Sequence, residues 1–495
     1  MLIQPLTAQE LKAFEKAQAL HAQGKVPEAG QAYFGLLQRH PEHPDIHEAM
    51  GRLAALVNKF DHAEFHFRKC LAAAPERLRV LETLGVVVDL QGRREEALAI
   101  FRQGLSVLGS SPSLRVKAGI ALSHLQRPSE ALMEFEAALV LDPTNRDALH
   151  QKAEMLRNLG KDDLAFEAFR QLAHTHPDDA MSRYQWGCAL LERGEWREGW
   201  AEYEARRGAE SNPAFPRPVG GDPWDGQLQP GFRLLIQLEQ GAGDTFQLWR
   251  LIPRLVEAGL NLVIQYPPSQ ATVIPLLQAQ GLPIRWIKTS DPLPPLDGHV
   301  PLMSLIHLLG VPPEGLWPGP YLQPAGEALD RRRFPRSPSA RACLGIAWAG
   351  SVFHPNDQYR SMSHTDIEPL LSLQCIHWVN LQKGWPALDA AMVKGSWTDP
   401  MADVTDYLGT AGIIRQLDAV VCVDTGVAHL AGAMGVPVLL MLPRSWEWRW
   451  MRDRADSPWY PGHRLFRQES IGDWSPVIEQ VRDELGRMFP ESTRA

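Results

Sequence analysis

Several markers of common functions are missing from this 495-residue chain. Its five cysteines (Cys70, Cys188, Cys343, Cys375 and Cys422) are scattered without a C-x-x-C pair. That excludes a zinc knuckle and a disulfide framework, and it fits a reducing, cytoplasmic setting. No run of about 18 uncharged apolar residues occurs, so no membrane span is expected, and the first residues lack the basic start and apolar core of a signal peptide. Basic charge is not in excess: 50 Lys and Arg stand against 58 Asp and Glu, a formal net charge of −8. Binding nucleic acid by bulk charge is therefore excluded. Neither the phosphate-cradling G-x-x-x-x-G-K-[ST] loop nor the G-x-S-x-G elbow of serine hydrolases is present. No D-x-D pair offers the usual carboxylates for a divalent metal. What remains is ordinary globular composition, 44% apolar and 22% charged, with a length that suits about three domains.

The first 206 residues repeat. Prolines at 41, 75, 143 and 177 are spaced by multiples of 34 residues, as are Gly51, Gly85, Gly119 and Gly187, with Ala153 filling one gap. Ala29, Ala63, Ala97, Ala131 and Ala165 form a third column, and Tyr33, Phe67, Phe101, Phe135, Phe169 and Tyr203 a fourth. This pattern resembles the tetratricopeptide repeat: paired helices, small residues where they cross, an aromatic in the second helix and a closing proline. A unit of this size cannot bury its own apolar face, so about six of them stack into an α-solenoid. The sixth is atypical, with Gly199 in place of the alanine and Trp186, Trp196 and Trp200 crowded together. It is either a cap that docks the next domain or a unit with larger core fillers. Such arrays usually hold a protein or peptide partner.

Residues 207–231 are rich in Pro and Gly and read as a linker. Beyond it the periodicity becomes that of strands alternating with helices. Strands are expected at 234–238 and 261–265 in one lobe (232–335), and at 344–348, 378–381, 419–423 and 436–441 in a second (336–495). A helix is expected from Thr245 to about 257, and a closing amphipathic helix at 476–488. A Pro- and Arg-rich break at 331–338 parts the lobes. The fold class is an α-solenoid followed by α/β, with two Rossmann-like lobes whose ligands belong in the crevice beyond the strand ends.

The most specific motif is the strand-turn-helix at 423–437. Asp424, Thr425 and Gly426 open the helix, where free N–H groups and the helix dipole suit a phosphate or diphosphate. His429 lies one turn inside. The bland reading is a capping aspartate with a core histidine. In the first lobe, Gly241, Ala242 and Gly243 lead to Asp244 at a strand-to-helix turn. That carboxylate is either a base facing the crevice or a helix N-cap. These segments resemble the ADP-heptose–lipopolysaccharide heptosyltransferase family and its tetratricopeptide-fused relatives over residues 232–490. The resemblance rests on Asp424, Thr425, Gly426 and His429, on Gly243-Asp244, and on Trp348-Ala349-Gly350 with Arg360. The lysine that precedes this arginine in the family is Tyr359 here.

The resemblance implies a GT-B arrangement in which Asp244 is the base. It further implies that Asp424, Thr425, Gly426, His429 and Arg360 hold a nucleotide-sugar. Positive charge for the departing diphosphate comes from Arg360 and Lys383, each otherwise a solvated surface charge. No metal or other cofactor is expected. Asp403 and Asp406 read as a loop-and-cap pair. The aromatic, basic stretches at 446–450 and 457–461 either stack on the donor or lock the C-terminal tail. The function implied is sugar transfer to a protein hydroxyl, flagellin or another surface protein, recruited by the repeats. The alternatives are a lipopolysaccharide or glycan acceptor, and a non-catalytic scaffold.

Overall fold

The computed structural model describes residues 5–208, 222–312, 315–316, 319–324, 340–351, 357–384, 397–445 and 447–490. Most of the 207–231 linker, the break at 331–338 and Trp446 lie outside the described residues. The chain divides into two compact units, Met1–Thr175 and His176–Ala495.

The first unit is built of helix pairs, such as Pro44–Leu56 with Phe60–Ala73 and Pro112–His124 with Pro128–Leu141. The columns of the sequence have a steric origin. A Cβ added at Gly51 would lie 2.6 Å from the Phe67 ring, and one at Gly119 would lie 2.5 Å from the Phe135 ring. Each glycine thus leaves room for the buried aromatic sixteen residues on, which fills the space between the paired helices. Charged residues of consecutive pairs meet at the surface, as in Arg93–Glu64 and Arg68–Glu96.

The compact units part at Thr175, while the helix pairs run on to Tyr203, close to the array end expected at 206. The sixth pair, Ala180–Glu192 and Trp196–Tyr203, folds with the α/β part because its large aromatics are buried there. Trp200 and Tyr203 meet the edge of Trp448 at centroid distances of 5.1 and 5.7 Å, and Trp196 meets Trp459 at 6.0 Å. The docking alternative is therefore the one observed.

The second unit contains two all-parallel sheets. In the front lobe, β1 (Arg233–Gln237), β2 (Asn261–Tyr266), β3 (Ile284–Lys288) and β4 (Gly298–Pro301) run in the order β3-β2-β1-β4. The back lobe holds β5 (Ala342–Ala347), β6 (Ile376–Asn380), β7 (Trp397–Thr398), β8 (Ala419–Val423), β9 (Val438–Leu442) and β10 (His463–Arg467). Their order is β10-β9-β8-β5-β6-β7. In each sheet the first strand pairs with the second on one side and the fourth on the other. The order therefore reverses at β1/β4 and at β5/β8, and the crevice beyond those carboxyl ends is where a doubly wound fold places its ligand. Strands β5 and β8 are buried along their whole length, as expected for parallel strands covered on both faces. The closing helix is Ser475–Met488.

Candidate active site

The turn after β1 is built under constraint. Gln240 adopts φ +59°, the left-handed region, a conformation that costs a non-glycine residue about 1–3 kcal/mol. Its amide Nε2 donates to the Tyr203 hydroxyl at 2.9 Å, and its carbonyl accepts from Gln270 Nε2 at 3.2 Å. Directly before it, Glu239 meets the fully buried Arg206 through two hydrogen bonds, 3.1 and 2.8 Å long. Arg206 also donates to Glu204 and Ser304, while the Met303 N–H donates to Glu239 at 2.9 Å. The end of the sixth repeat and the start of β4's exit thus clamp the turn from behind.

The helix that follows begins at Ala242, three residues before the expected Thr245, and runs only to Trp249; a second helix covers Ile252–Glu257. Gly241 is its N-cap, and the Asp244 carboxylate accepts the Gly241 N–H at 2.7 Å. The other Asp244 oxygen accepts from Arg449 of the back lobe. Base and cap were posed as alternatives, yet the carboxylate closes the helix start while facing across the lobe junction. Burial raises the Asp244 carboxyl above its ordinary value. Arg449 and the Gly241 N–H oppose that rise, whereas Glu447 and Glu239 add to it.

On the back-lobe side, β8 leads through Asp424 into the helix Gly426–Ala433, whose N-cap is Thr425. Two helix starts converge here. A Cβ added at Gly243 would lie 2.6 Å from His429 Cδ2, and one at Gly426 would lie 3.7 Å from the Ala242 Cβ. Gly243 is what lets the lobes approach, whereas a Cβ at Gly426 would make only ordinary contact with Ala242. Thr425, Gly426 and Val427 remain partly exposed, and Thr425 Oγ1 has no hydrogen-bond partner. Asp424 is buried, and burial pushes its carboxyl up to about 6. Glu447 adds to the rise, while Arg360 and Arg449 pull against it.

His429 is buried, with Nδ1 at 3.0 Å from the Tyr460 hydroxyl and Nε2 at 3.9 Å from Asp424 Oδ1. Burial first, then the nearby Arg449, holds its basicity far below normal, so it stands here as a neutral ring. It has a hydrogen bond, and no charge, to offer an anion. Arg360 ends the short helix Asp357–Arg360, with its guanidinium 3.4 Å from Asp357 and lying over Gly350, where a Cβ would come within 2.5 Å. The Trp348 and Ala349 amides do not face the crevice free; both donate to Gln382 Oε1, at 3.0 and 2.9 Å. Lys383 is exposed and its ammonium donates to the Val404 carbonyl, so it ties one loop to another. Asp406 caps Tyr407–Ile414 by accepting from Gly409 N–H at 2.9 Å.

Arg449 lies in the aromatic, basic stretch at 446–450, but its pairing with Asp244 had no sign in the sequence. Its side chain is 4% exposed; Nε donates to Gln247 Oε1 at 2.8 Å, and the two other nitrogens donate to Glu447 and Asp244. It lies 4.3 Å from the Trp448 ring centroid. The stretch holding it packs against the sixth repeat through Trp448 and against the front lobe through Arg449. Also overlooked were two histidine pairs spaced by four, His43/His47 and His62/His66, in the repeat array. His47 Nδ1 meets His66 Nδ1 at 2.9 Å. Among the described residues, no three His, Cys, Asp or Glu side chains form a group able to hold a metal ion, and no helix is long and apolar enough to cross a membrane. An open groove of about 570 Å³ on the array is lined by Lys152, Leu164, Glu167 and Gln171, among others.

Residues 404–443, from the Asp406 cap through the Asp424 turn to β9, match the model of Glycosyltransferase family 9 (heptosyltransferase). Residues 147–179 match that of the tetratricopeptide repeat. The chain is 25% identical over 499 residues to Protein FlbA of Caulobacter vibrioides, a match covering 92% of this chain and 80% of that protein. Among solved structures, it resembles a thermophilic tetratricopeptide protein of Thermus thermophilus. The identity is 21%, over 37% of this chain and 99% of the other, with a TM-score of 0.31. A tetratricopeptide repeat protein of Parabacteroides merdae is 18% identical over 42% of this chain and 82% of its own, with a TM-score of 0.37. On the matches at 147–179 and 404–443, the chain joins a segment similar to tetratricopeptide repeats, modules that generally mediate protein–protein interaction, to a segment similar to glycosyltransferases of the heptosyltransferase type.

Proposed function

We propose that the α/β pair moves a sugar from a nucleotide-sugar, without a metal ion, to a hydroxyl on a protein that the repeat array recruits. One observation carries this reading: the Asp244 carboxylate of the front lobe stands across the junction from the start of the helix Gly426–Ala433. This neighbourhood supports reading the carboxylate as a base and the helix start as an anion seat. The acceptor oxygen bonds to the anomeric carbon as its proton passes to Asp244. The bond from that carbon to the diphosphate oxygen breaks, and the electron pair leaves with the diphosphate. The amides around Thr425 and Gly426, with Arg360, bind the charge that grows there. Arg360 supplies the positive charge for which many transferases use a metal held by D-x-D. Lys383 has a lesser part, reaching the site only by leaving Val404. The open groove on the array supports a polypeptide acceptor such as flagellin or another surface protein, met in the cytoplasm.

A lipopolysaccharide or other glycan acceptor has equal standing, because the matched family description is that of heptosyltransferases. Thermal-shift titration of the full chain with UDP-, ADP-, GDP- and CMP-linked sugars tests the common core, since a ligand of the native state raises the melting temperature. Transfer assays with the stabilising donor, offered a protein and a glycan acceptor side by side, then separate the two readings. If no nucleotide-sugar raises the melting temperature and none is consumed, the domain is a scaffold and the proposal fails.

A further inference from the structure

The polar groups at the lobe junction are unbalanced towards donors. Arg449 has five N–H groups, and the described residues supply acceptors for three: Gln247 to Nε, Glu447 to one terminal nitrogen and Asp244 to the other. One N–H on each terminal nitrogen is left over. The amide Nε2 of Gln247, on the same side chain that accepts from Arg449, is buried with no partner. Thr425 Oγ1, at the helix start that abuts Ala242, is buried with none either. Buried donors without acceptors are costly and rare. The spare N–H groups of Arg449, with the Gln247 amide beside them, are the complement of an anion with several oxygens.

Building on the transferase reading, we propose that Arg449 binds the diphosphate of the donor while it holds Asp244, so that one side chain spans the proton acceptor and the leaving group. The guanidinium fork suits this double task, since it presents parallel N–H groups to a carboxylate on one edge and to phosphate oxygens on another. Gln247 and Trp448 fix its plane from two sides. During transfer, the acceptor proton goes to Asp244 and the C–O bond to the diphosphate breaks. The freed oxygen then accepts the unused Arg449 N–H groups, and no further reactant is required. Two carboxylates, Glu447 and Asp424, oppose an incoming anion there. Burial raises the carboxyl of the second, so its opposition weakens as the pH falls.

The test uses inorganic pyrophosphate, titrated calorimetrically into the full-length chain, so that it reads Arg449 whether or not any sugar is transferred. Arg449→Gln is expected to weaken pyrophosphate binding at least about tenfold, and Arg449→Lys by less, because the charge returns without the fork. Glu447→Gln, which removes the competing carboxylate, is expected to tighten it a few-fold. Unchanged binding in Arg449→Gln, or no binding by the wild type, overturns the proposal. If Arg449→Gln does not fold, the opposite signs of Arg449→Lys and Glu447→Gln decide; shifts of one sign, or none, overturn it. A wild type that binds pyrophosphate through Arg449 yet transfers no sugar leaves this inference standing and removes the transferase reading. Where transfer is observed, a second readout applies to Asp244, which faces Arg449, Glu447, Glu239 and Tyr203. The acid limb of the rate profile should move to higher pH in Arg449→Gln and to lower pH in Glu447→Gln. A purely structural arginine would not give that pair of shifts.

Discussion

The repeat array and the α/β pair handle charge in opposite ways. In the array, arginines such as Arg93 and Arg68 meet glutamates at the surface, with side chains 43% and 46% exposed. They link one helix pair to the next and are screened by water. In the α/β unit, Arg206, Arg250 and Arg449 are buried, each at a joint. Arg206 ties the sixth repeat to the front lobe. Arg250 reaches from the front lobe to the Trp459 carbonyl at 2.9 Å, and Arg449 reaches back to Asp244. The array is thus a sum of similar small contacts that tolerates losing one. The transferase unit depends on a few charges, each of which is expensive to leave unpaired.

The sharpest way to probe that contrast is at the carboxylate proposed as the base. Asp244→Asn should lower the turnover for sugar transfer by about 10²–10⁴-fold while donor affinity changes only a few-fold, as read from kcat and from donor titration. Equal losses in both would make Asp244 a structural cap alone. Next comes Arg206→Met, which strands Glu239 in the interior. Removing one partner of a buried pair costs about 3–5 kcal/mol, measurable as a lower urea midpoint for the α/β transition. Arg93→Ala in the array should leave its melting unchanged. If the two substitutions cost the same, the distinction drawn between the regions is wrong.

Asp424 gives the pH version of the test. Its folded-state value, about 6, is raised above the ordinary 3.8. The native state therefore gains stability from protonation below the unfolded value and loses it as pH rises through about 6. Asp424→Asn removes that dependence. Relative to wild type, the variant should gain about 1–3 kcal/mol between pH 4 and 7. Chemical denaturation at both pH values checks it, and a constant difference would refute the assignment. The smallest effect belongs to the array: Gly119→Ala pushes a methyl to within 2.5 Å of Phe135. It should cost about 1–3 kcal/mol by overpacking, read as a lower melting temperature with the α/β transition unmoved.

The array was readable because its contacts are local: Gly119 and Phe135 are sixteen residues apart, and the spacing recurs. The strands β1, β2, β5, β6, β8 and β9 were readable too, being short apolar runs bounded by turns. The remaining strands were not. β3 carries Arg285 and Lys288, β4 contains His299 and ends in Pro301, β7 has two residues, and β10 alternates with arginines at the sheet edge. The candidate site was half legible. Asp244 and the Asp424 turn each sit on a local strand-turn-helix signal, whereas Arg449 reaches Asp244 across 205 positions of sequence. Its one local sign was an arginine set among tryptophans, with Glu447 two residues before it. The tie from Lys383 to Val404 was not legible for a related reason, since nothing in its neighbourhood announces that carbonyl.

Tyr203 closes a column of aromatics that elsewhere only fills space, but its hydroxyl also pins the strained Gln240. The last repeat has therefore become part of the enzyme's frame. A chimaera that exchanges recognition arrays between such transferases should be spliced after Thr175. A cut at 206 would carry Trp196, Trp200 and Tyr203 away with the donor array and strip the transferase of the wall that shapes its own loop.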